Sequence, residues 1–543
     1  MKIFFVLVFV GVIGCCSSAF ALSSPNIPLD SPVYLYIEKL SGFGLVSGDV
    51  KGIRPYSRSE AVRLLREAQS RLANGEHPRL ASEIVQRLRE LLPREAALYD
   101  EPGKAPLFDF RPVASARLRY VHLDGAPRSY FRAVHDPGDD GVFGIGSGLR
   151  PPNAYPSPAQ QRGFEGTPLL ENNNGVVYHS GSNLDLRGSG EAYLGSQASL
   201  LVEPMLLWSE HSDQATLRLN RGYVKVGGNA LELEVGRDEN WLGPGYRGVV
   251  TLTNNARNFD VVKLSSPEIV QSKYLWDLKY SLIVSRFEKT VTDGQERQPY
   301  FLAGKLSFKP TRNIELGINL GRQAGGPGVS NGLGDTLRGL VGGTASDNSN
   351  SVAGIDLRFR LPWLRNSELY GEYSGEDAAL FWPIVESYVA GVFIPSLTDS
   401  GRDDLRFEYF RGNEILYTHS TFQEGYLHHN LPIGHSQGGA AQEWFLRYSH
   451  WFSVQNNLAL EAYYTARGDY GRMTVDSTGR FDASGVMQAI ERKTALRAFW
   501  TLPVKGDWTA LLMYGREWID NLELRQGEKR SNQLFRAELA YKY

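Results

Sequence analysis

Phe535-Arg536-Ala537-Glu538-Leu539-Ala540-Tyr541-Lys542-Tyr543 closes the chain. Phe535, Ala537, Leu539, Tyr541 and Tyr543 fall on one face of an extended strand; Arg536, Glu538, Ala540 and Lys542 fall on the other. Such alternation is the period-2 signature of a strand with unlike faces. The apolar face needs either lipid or a protein core, and the rest of the chain decides between them.

The same rhythm starts at Val113–Leu123, where Ala114, Ala116, Leu118 and Tyr120 oppose Ser115, Arg117 and Arg119. It recurs at about 183–188, 197–209, 216–226, 230–236, 276–286, 300–308, 314–320, 352–360, 367–373, 387–394, 404–410, 443–452, 457–466, 489–501 and 508–518. Weaker candidates lie near 260–264 and 415–422, and a barrel of about sixteen to eighteen strands is expected. That leaves roughly 24 residues for each strand with its loop, which suits spanning strands of about 10 residues. Charged residues inside many strands suit a wet lumen better than a packed sandwich. A strand of this kind ending on an aromatic resembles the closing strand of bacterial outer-membrane barrels. The expected fold is therefore all-β, a transmembrane antiparallel barrel over 113–543 with a small helical N-terminal segment. Gly-, Ser-, Asn- and Asp-rich stretches at 125–180, 321–351 and 467–486 read as its external loops.

Met1-Lys2, the apolar run Ile3–Gly14 and Ala19-Phe20-Ala21 read as a secretory signal peptide over 1–21. Val12-Ile13-Gly14-Cys15 also resembles a lipobox, with Cys15 as the acylated residue. Both cysteines lie here, so cleavage after Ala21 leaves no thiol, disulfide or thiolate metal site. Residues 22–100 read as a periplasmic helical domain and 101–112 as a linker. Ser31-Pro32 starts a first helix bearing Val33, Tyr36, Ile37 and Leu40, and the capping box Ser57-x-x-Glu60 opens a second. A third runs about Arg79 to Leu92. Helix, Gly-rich turn, Arg54-Pro55 and Arg58-x-Glu60 resemble one repeat of an S-layer homology domain, a module that holds cell-wall polymer. A net charge of −2 gives no sign of a nucleic-acid partner, while 27 Tyr and 10 Trp suit membrane girdles and sugar binding alike.

The densest polar constellation is Arg237-Asp238-Glu239-Asn240-Trp241-Leu242-Gly243-Pro244-Gly245-Tyr246-Arg247, continuing through Thr253-Asn254-Asn255-Ala256 to Phe259. A strand ending Gly-Arg, then Trp-x-Gly-Pro-Gly, then Leu-x-Asn-Asn-Ala resembles the capsule assembly Wzi family of outer-membrane barrels. A second block agrees: Tyr417-Thr418-His419, Gly425-Tyr426, Ile433-Gly434-His435 and Gly438. The S-layer-like character of 32–67 departs from that pattern. The resemblance implies a non-enzymatic, lectin-like barrel holding capsular or other exopolysaccharide at the cell surface. Its polysaccharide-binding residues would be Arg237, Trp241, Tyr246, Asn254, Asn255, Tyr417, His419, Tyr426 and His435. Independently, Trp241, Tyr246 and Tyr426 offer flat faces to sugar C–H groups, and Arg237, Asn254 and Asn255 offer hydrogen-bonding groups. As structural residues, the Gly-Pro-Gly would simply turn the chain and Trp241 would join an interfacial girdle.

Gly434-His435-Ser436-Gln437-Gly438 matches the nucleophile elbow of lipases, but a strand–turn–helix context is missing from the flanking sequence. His419, His428, His429 and His435 read as solvated loop histidines without a completing carboxylate, so no metal or cofactor is implied. Glu372 with Glu376-Asp377 leaves a glycosidase possibility open. The reading is a polysaccharide-binding or assembly protein of the outer membrane, in contact with its lipid. Its helical segment would reach peptidoglycan or the polysaccharide-export machinery. A porin-like conduit for sugars or polymer, and an outer-membrane hydrolase, are the alternatives.

Overall fold

The computed structural model describes residues 22–542 except 135–158, 213, 273–275, 293, 330–348, 377–382, 384, 414–415, 420–421, 423, 471–472 and 475–488. Eighteen antiparallel strands, from Phe108–Asp124 to Lys529–Tyr541, close into one barrel. The seam is the pairing of first strand with last, in register from Ala116↔Tyr541 to Asp124↔Gln533. The first strand begins at Phe108, inside the stretch read as linker, where Phe108–Arg111 pairs with Glu191–Leu194 and an irregularity follows before Ser115. Phe259–Ser265 is a full barrel strand, whereas 416–417 is a turn and 418–419 irregular, not the weak strand expected at 415–422.

The closing strand shows why the wall stands in lipid. Phe535 and Leu539 point outward and are about 40 % exposed (41 % and 37 %), while Arg536 and Ala540 face a filled interior and are buried. The same parity exposes Leu186, Leu206, Val224, Leu282, Leu446, Leu460 and Leu496 around the wall, with Trp276, Trp363, Trp444, Trp500 and Trp518 among the exposed aromatics. No described helix is long and apolar enough to cross a membrane. Connections such as Gly195–Gln197, Asn229–Ala230 and Arg312–Asn313 are short, and most of those at the opposite end are long. In barrels of this type the short-turn end is periplasmic.

Four helices cover that end: α1 Val33–Gly42, α2 Arg58–Leu72, α3 Arg79–Leu91 and α4 Pro93–Leu98. The expected cap is present, Ser57 Oγ accepting from Glu60 N at 3.1 Å. Leu40, Leu45, Leu64, Ile84 and Leu88 form a dry core that also takes in Trp451 from a barrel strand. Lys39 pairs with Asp404 at 2.9 Å and Arg87 with Asp507 at 3.1 Å, fastening the helices to the wall.

Between strands and helices, the stretches on either side of α1, 23–31 and 49–56, enter the lumen. Asn26 Nδ2 donates to Glu234 (2.9 Å) and Asp238 (2.7 Å), and Asp49 meets Arg358 and Arg360, each at 2.8 Å. The inward charges expected to face water are instead buried: Arg187–Asp185 (2.7 Å), Arg221–Glu203 (2.5 Å) and Lys263–Glu234 (2.9 Å). The physical reason is that chain, not solvent, fills the barrel.

Because Leu446 is outward on Ala441–Ser453 and 43 % exposed, Leu446→Arg is expected to cost about 2–4 kcal/mol if it lies near the midplane. Heat-modifiable gel mobility and urea unfolding in detergent should show this destabilisation, with Leu446→Val near wild type.

Candidate functional site

The plug is built where the Gly236-Arg237 strand end gives way to Glu239–Asn258. Trp241–Leu242 pairs antiparallel with Ile53–Arg54, so a loop from the extracellular end meets the N-terminal segment inside the barrel. Gly243 N donates to Gly52 O at 2.8 Å. Gly243 has φ +150°, and a Cβ there would lie 2.6 Å from Val249 Cγ1, which accounts for a glycine at this turn. Arg54 lies over the Trp241 ring at 4.6 Å and donates to Gly245 O at 2.6 Å. Glu239 accepts from Leu29 N at 2.7 Å and Asn174 Nδ2 at 2.5 Å, tying three segments together. Burial pushes its carboxyl up to about 7, opposed by Arg221. On α1, burial would raise the Glu38 carboxyl, but Arg406 and Lys51 hold it down at about 2.

Luminal carboxylates cap the irregular chain. Glu408 accepts from Tyr246 N (2.8 Å) and Arg247 N (2.9 Å), Glu372 from Val250 N (2.9 Å), and Glu376 from Tyr417 N (2.7 Å). Arg247 is clamped by Glu171 (2.7 Å) and Glu443 (2.9 Å). Tyr417 stacks on Tyr426 at 5.5 Å and donates its hydroxyl to Val250 O at 2.5 Å. His435 stacks on Phe410 at 3.6 Å, and burial holds its imidazole down at about 4, hence neutral.

Most residues expected to bind sugar are therefore inside this packing. Trp241, Asn254, Asn255, Tyr417, Tyr426 and His435 are buried, while Tyr246 and His419 are part-buried. Asn254 bonds Asn174 (2.9 Å) and Asn255 bonds Pro432 O (3.0 Å). Trp241, Tyr246 and Asn254 do share a luminal cavity of about 330 Å³. His428 and His435 are buried rather than solvated, as expected of loop histidines, because the hairpin Leu427–Pro432 folds onto Phe259 and the lumen. A carboxylate that the sequence did not show also completes a set: one donor atom each from Glu288, His428 and His429 lie within 4.8 Å of one another. Glu288 is already engaged, accepting from His429 N at 2.5 Å and contacting His428 Nδ1 at 2.5 Å.

Arg237 alone stands outside. It continues the outward rhythm Leu231, Leu233, Val235 and pairs with outward Asp260 at 2.8 Å. Around it opens a notch of about 870 Å³ in the extracellular rim, lined by Arg218, Arg257, Asn258, Arg286, Tyr300, His428 and His429 over Val235, Val262 and Val284. Arg286 donates to Tyr300 OH at 3.1 Å, Arg257 is exposed, and Arg218 Nη2 is buried without a hydrogen-bond partner among the described residues. Burial and His428 hold His429 down at about 4. Arg257, Arg286 and Tyr300 were not singled out from sequence.

Fold, lipid-facing wall and filled lumen define an outer-membrane β-barrel stoppered by its own chain. The protein belongs to the capsule assembly protein Wzi family, whose model matches residues 150–534. It is similar to an uncharacterized 55.8 kDa protein of the cps region of Klebsiella pneumoniae, 24% identical over 247 residues. That match covers 43% of this chain and 46% of the relative, so the chain spans about half the length of the curated relative. Among solved structures it resembles Wzi of Escherichia coli, an outer membrane protein involved in group 1 capsule assembly and a carbohydrate-binding β-barrel. The TM-score is 0.66 at 16% identity, over 96% of this chain and 100% of that one. OprD of Pseudomonas aeruginosa matches with a TM-score of 0.39 at 10% identity, over 81% of this chain and 95% of that one.

Arg54→Ala removes the stacking on Trp241 and the bond to Gly245 O. It is expected to cost about 1–3 kcal/mol and to expose 239–258 to limited proteolysis while strand content by circular dichroism is kept.

Proposed function

We propose that this protein is a non-enzymatic outer-membrane lectin that holds acidic capsular or exopolysaccharide at its extracellular rim. The observation that carries this reading is the notch: Arg237, Arg257 and Arg286 beside Tyr300 offer cations to uronate carboxylates and a ring to sugar C–H faces. Family membership and the carbohydrate binding described for the Escherichia coli protein support it. Against hydrolysis, Ser436 lies in a buried turn followed by strand Ala441–Ser453, without the helix an elbow requires. Glu372 and Glu376 are engaged by loop N–H groups rather than left free as an acid–base pair. Against a conduit, strand pairing between Ile53–Arg54 and Trp241–Leu242 crosses the lumen. Residues 22–100 form the proposed periplasmic contact with peptidoglycan or export machinery, α3 presenting exposed Arg79, Arg89 and Glu90.

Each exposed ion pair contributes only about 0.2–1 kcal/mol, but a polymer engages several repeats and multiplies the effect. Arg257→Ala with Arg286→Ala should lower retention of an acidic capsular polysaccharide on immobilised protein at least tenfold, and raised salt should do the same to wild type. Wild-type retention by the folded double variant removes the notch from the binding site.

A further inference from the structure

The luminal cavity beneath the plug has a composition that the packing of the barrel does not require. Its volume, about 330 Å³, lies at the small end of the roughly 300–1,000 Å³ typical of small-molecule sites. Its floor is the N-terminal segment around Asp30, Tyr34 and Arg54, and its roof is the plug at Asn172, Trp241 and Tyr246. It runs down past Phe499, Thr501 and Leu511, which face inward near the periplasmic ends of their strands yet are part-exposed, and Asp30 beside them is exposed. The proposed entrance lies on this periplasmic side.

Among the described residues, several buried polar groups on its walls lack hydrogen-bond partners. Arg54 reaches only the carbonyls of Gly243 and Gly245, and its Nε is unsatisfied. Trp241, 4 % exposed, has no acceptor for its indole N–H, and Asn172 Oδ1 and Arg536 Nε are likewise unpartnered. The other luminal cations in this space have carboxylates: Arg406 meets Glu38 at 2.8 Å, Arg497 meets Glu461 at 2.6 Å, and Arg119 meets Glu538 at 2.7 Å. Buried donors are ordinarily satisfied, so a guanidinium held by carbonyls without a carboxylate, an open indole N–H and an amide oxygen around one cavity point to a ligand carrying an anion and hydroxyls. Rings of Tyr34, Tyr246 and Phe445 supply apolar faces. We propose that this cavity is a second saccharide site, entered from the periplasmic side, for one or two sugar residues bearing a carboxylate. The site shares no lining residue with the notch, and it goes beyond the surface-binding reading.

The test uses the full chain in detergent with glucuronate as probe, glucose as neutral control and inorganic phosphate as anion control. All measurements are made in the Arg257→Ala, Arg286→Ala background, which disarms the notch. Saturable glucuronate binding by calorimetry and saturation-transfer NMR is expected there, at least tenfold tighter than glucose or phosphate. Arg54→Gln should weaken it at least tenfold. Because that change also loosens the plug, Thr501→Trp provides a second variant that narrows the mouth without touching Arg54 or Trp241, and it should weaken binding to the same degree. Absence of saturable binding in the notch background, phosphate binding as tightly as glucuronate, or wild-type affinity in Thr501→Trp would each overturn the inference. Polymer retention by the notch variant reads the surface site separately, so either reading can fail without the other.

Discussion

Everything inside the barrel depends on one short strand pairing, Ile53–Arg54 with Trp241–Leu242. It is two residues wide, and alone such a ladder would not persist. It holds because the cation of Arg54 covers the indole, Glu239 gathers N–H groups from two further segments, and the surrounding chain buries both the indole and the carboxylate. Each of these contacts gains strength from the low local dielectric that the others create.

That dryness explains the charge pattern of the strands. Irregular chain in a closed lumen carries backbone donors that no regular ladder satisfies, and each one left open is costly. Inward Glu315, Glu372, Glu376 and Glu408 accept from such donors at Gly52, Val250, Tyr417 and Arg247. Inward arginines in turn neutralise neighbouring acids, as Arg358 does between Asp49 and Glu315. The alternation of charged with apolar residues thus serves two different surroundings, lipid outside and packed loop inside.

The wall was legible because its signal is local. Phe535 to Tyr541 alternates in the sequence as it does between lipid and lumen, and Ser57 with Glu60 marks a helix start with no tertiary information. The candidate site was harder. Trp241 and Tyr417 have the chemistry of sugar-binding residues, but whether a ring faces solvent or Arg54 depends on a partner far along the chain. Arg237 and Arg286 carried a usable clue, since each extends an outward two-residue rhythm, Val235 to Arg237 and Val284 to Arg286, to a cation at the strand end. Arg257 sits in irregular chain between them and carried none. Glu288 is brought to His428 by the fold of separate loops, which spacing does not encode.

The shared core around Trp451 bears on how the molecule is made. The helical segment leaves the ribosome before the barrel, yet its apolar centre is completed by a side chain from the strand Ala441–Ser453. The seam between Phe108–Asp124 and Lys529–Tyr541 leaves no side entrance, so the luminal part of the N-terminal segment reaches its place either before that seam forms or through an open end of the barrel. By either route the helical core stays incomplete until Ala441–Ser453 is in position, and a part of the chain made early is finished late.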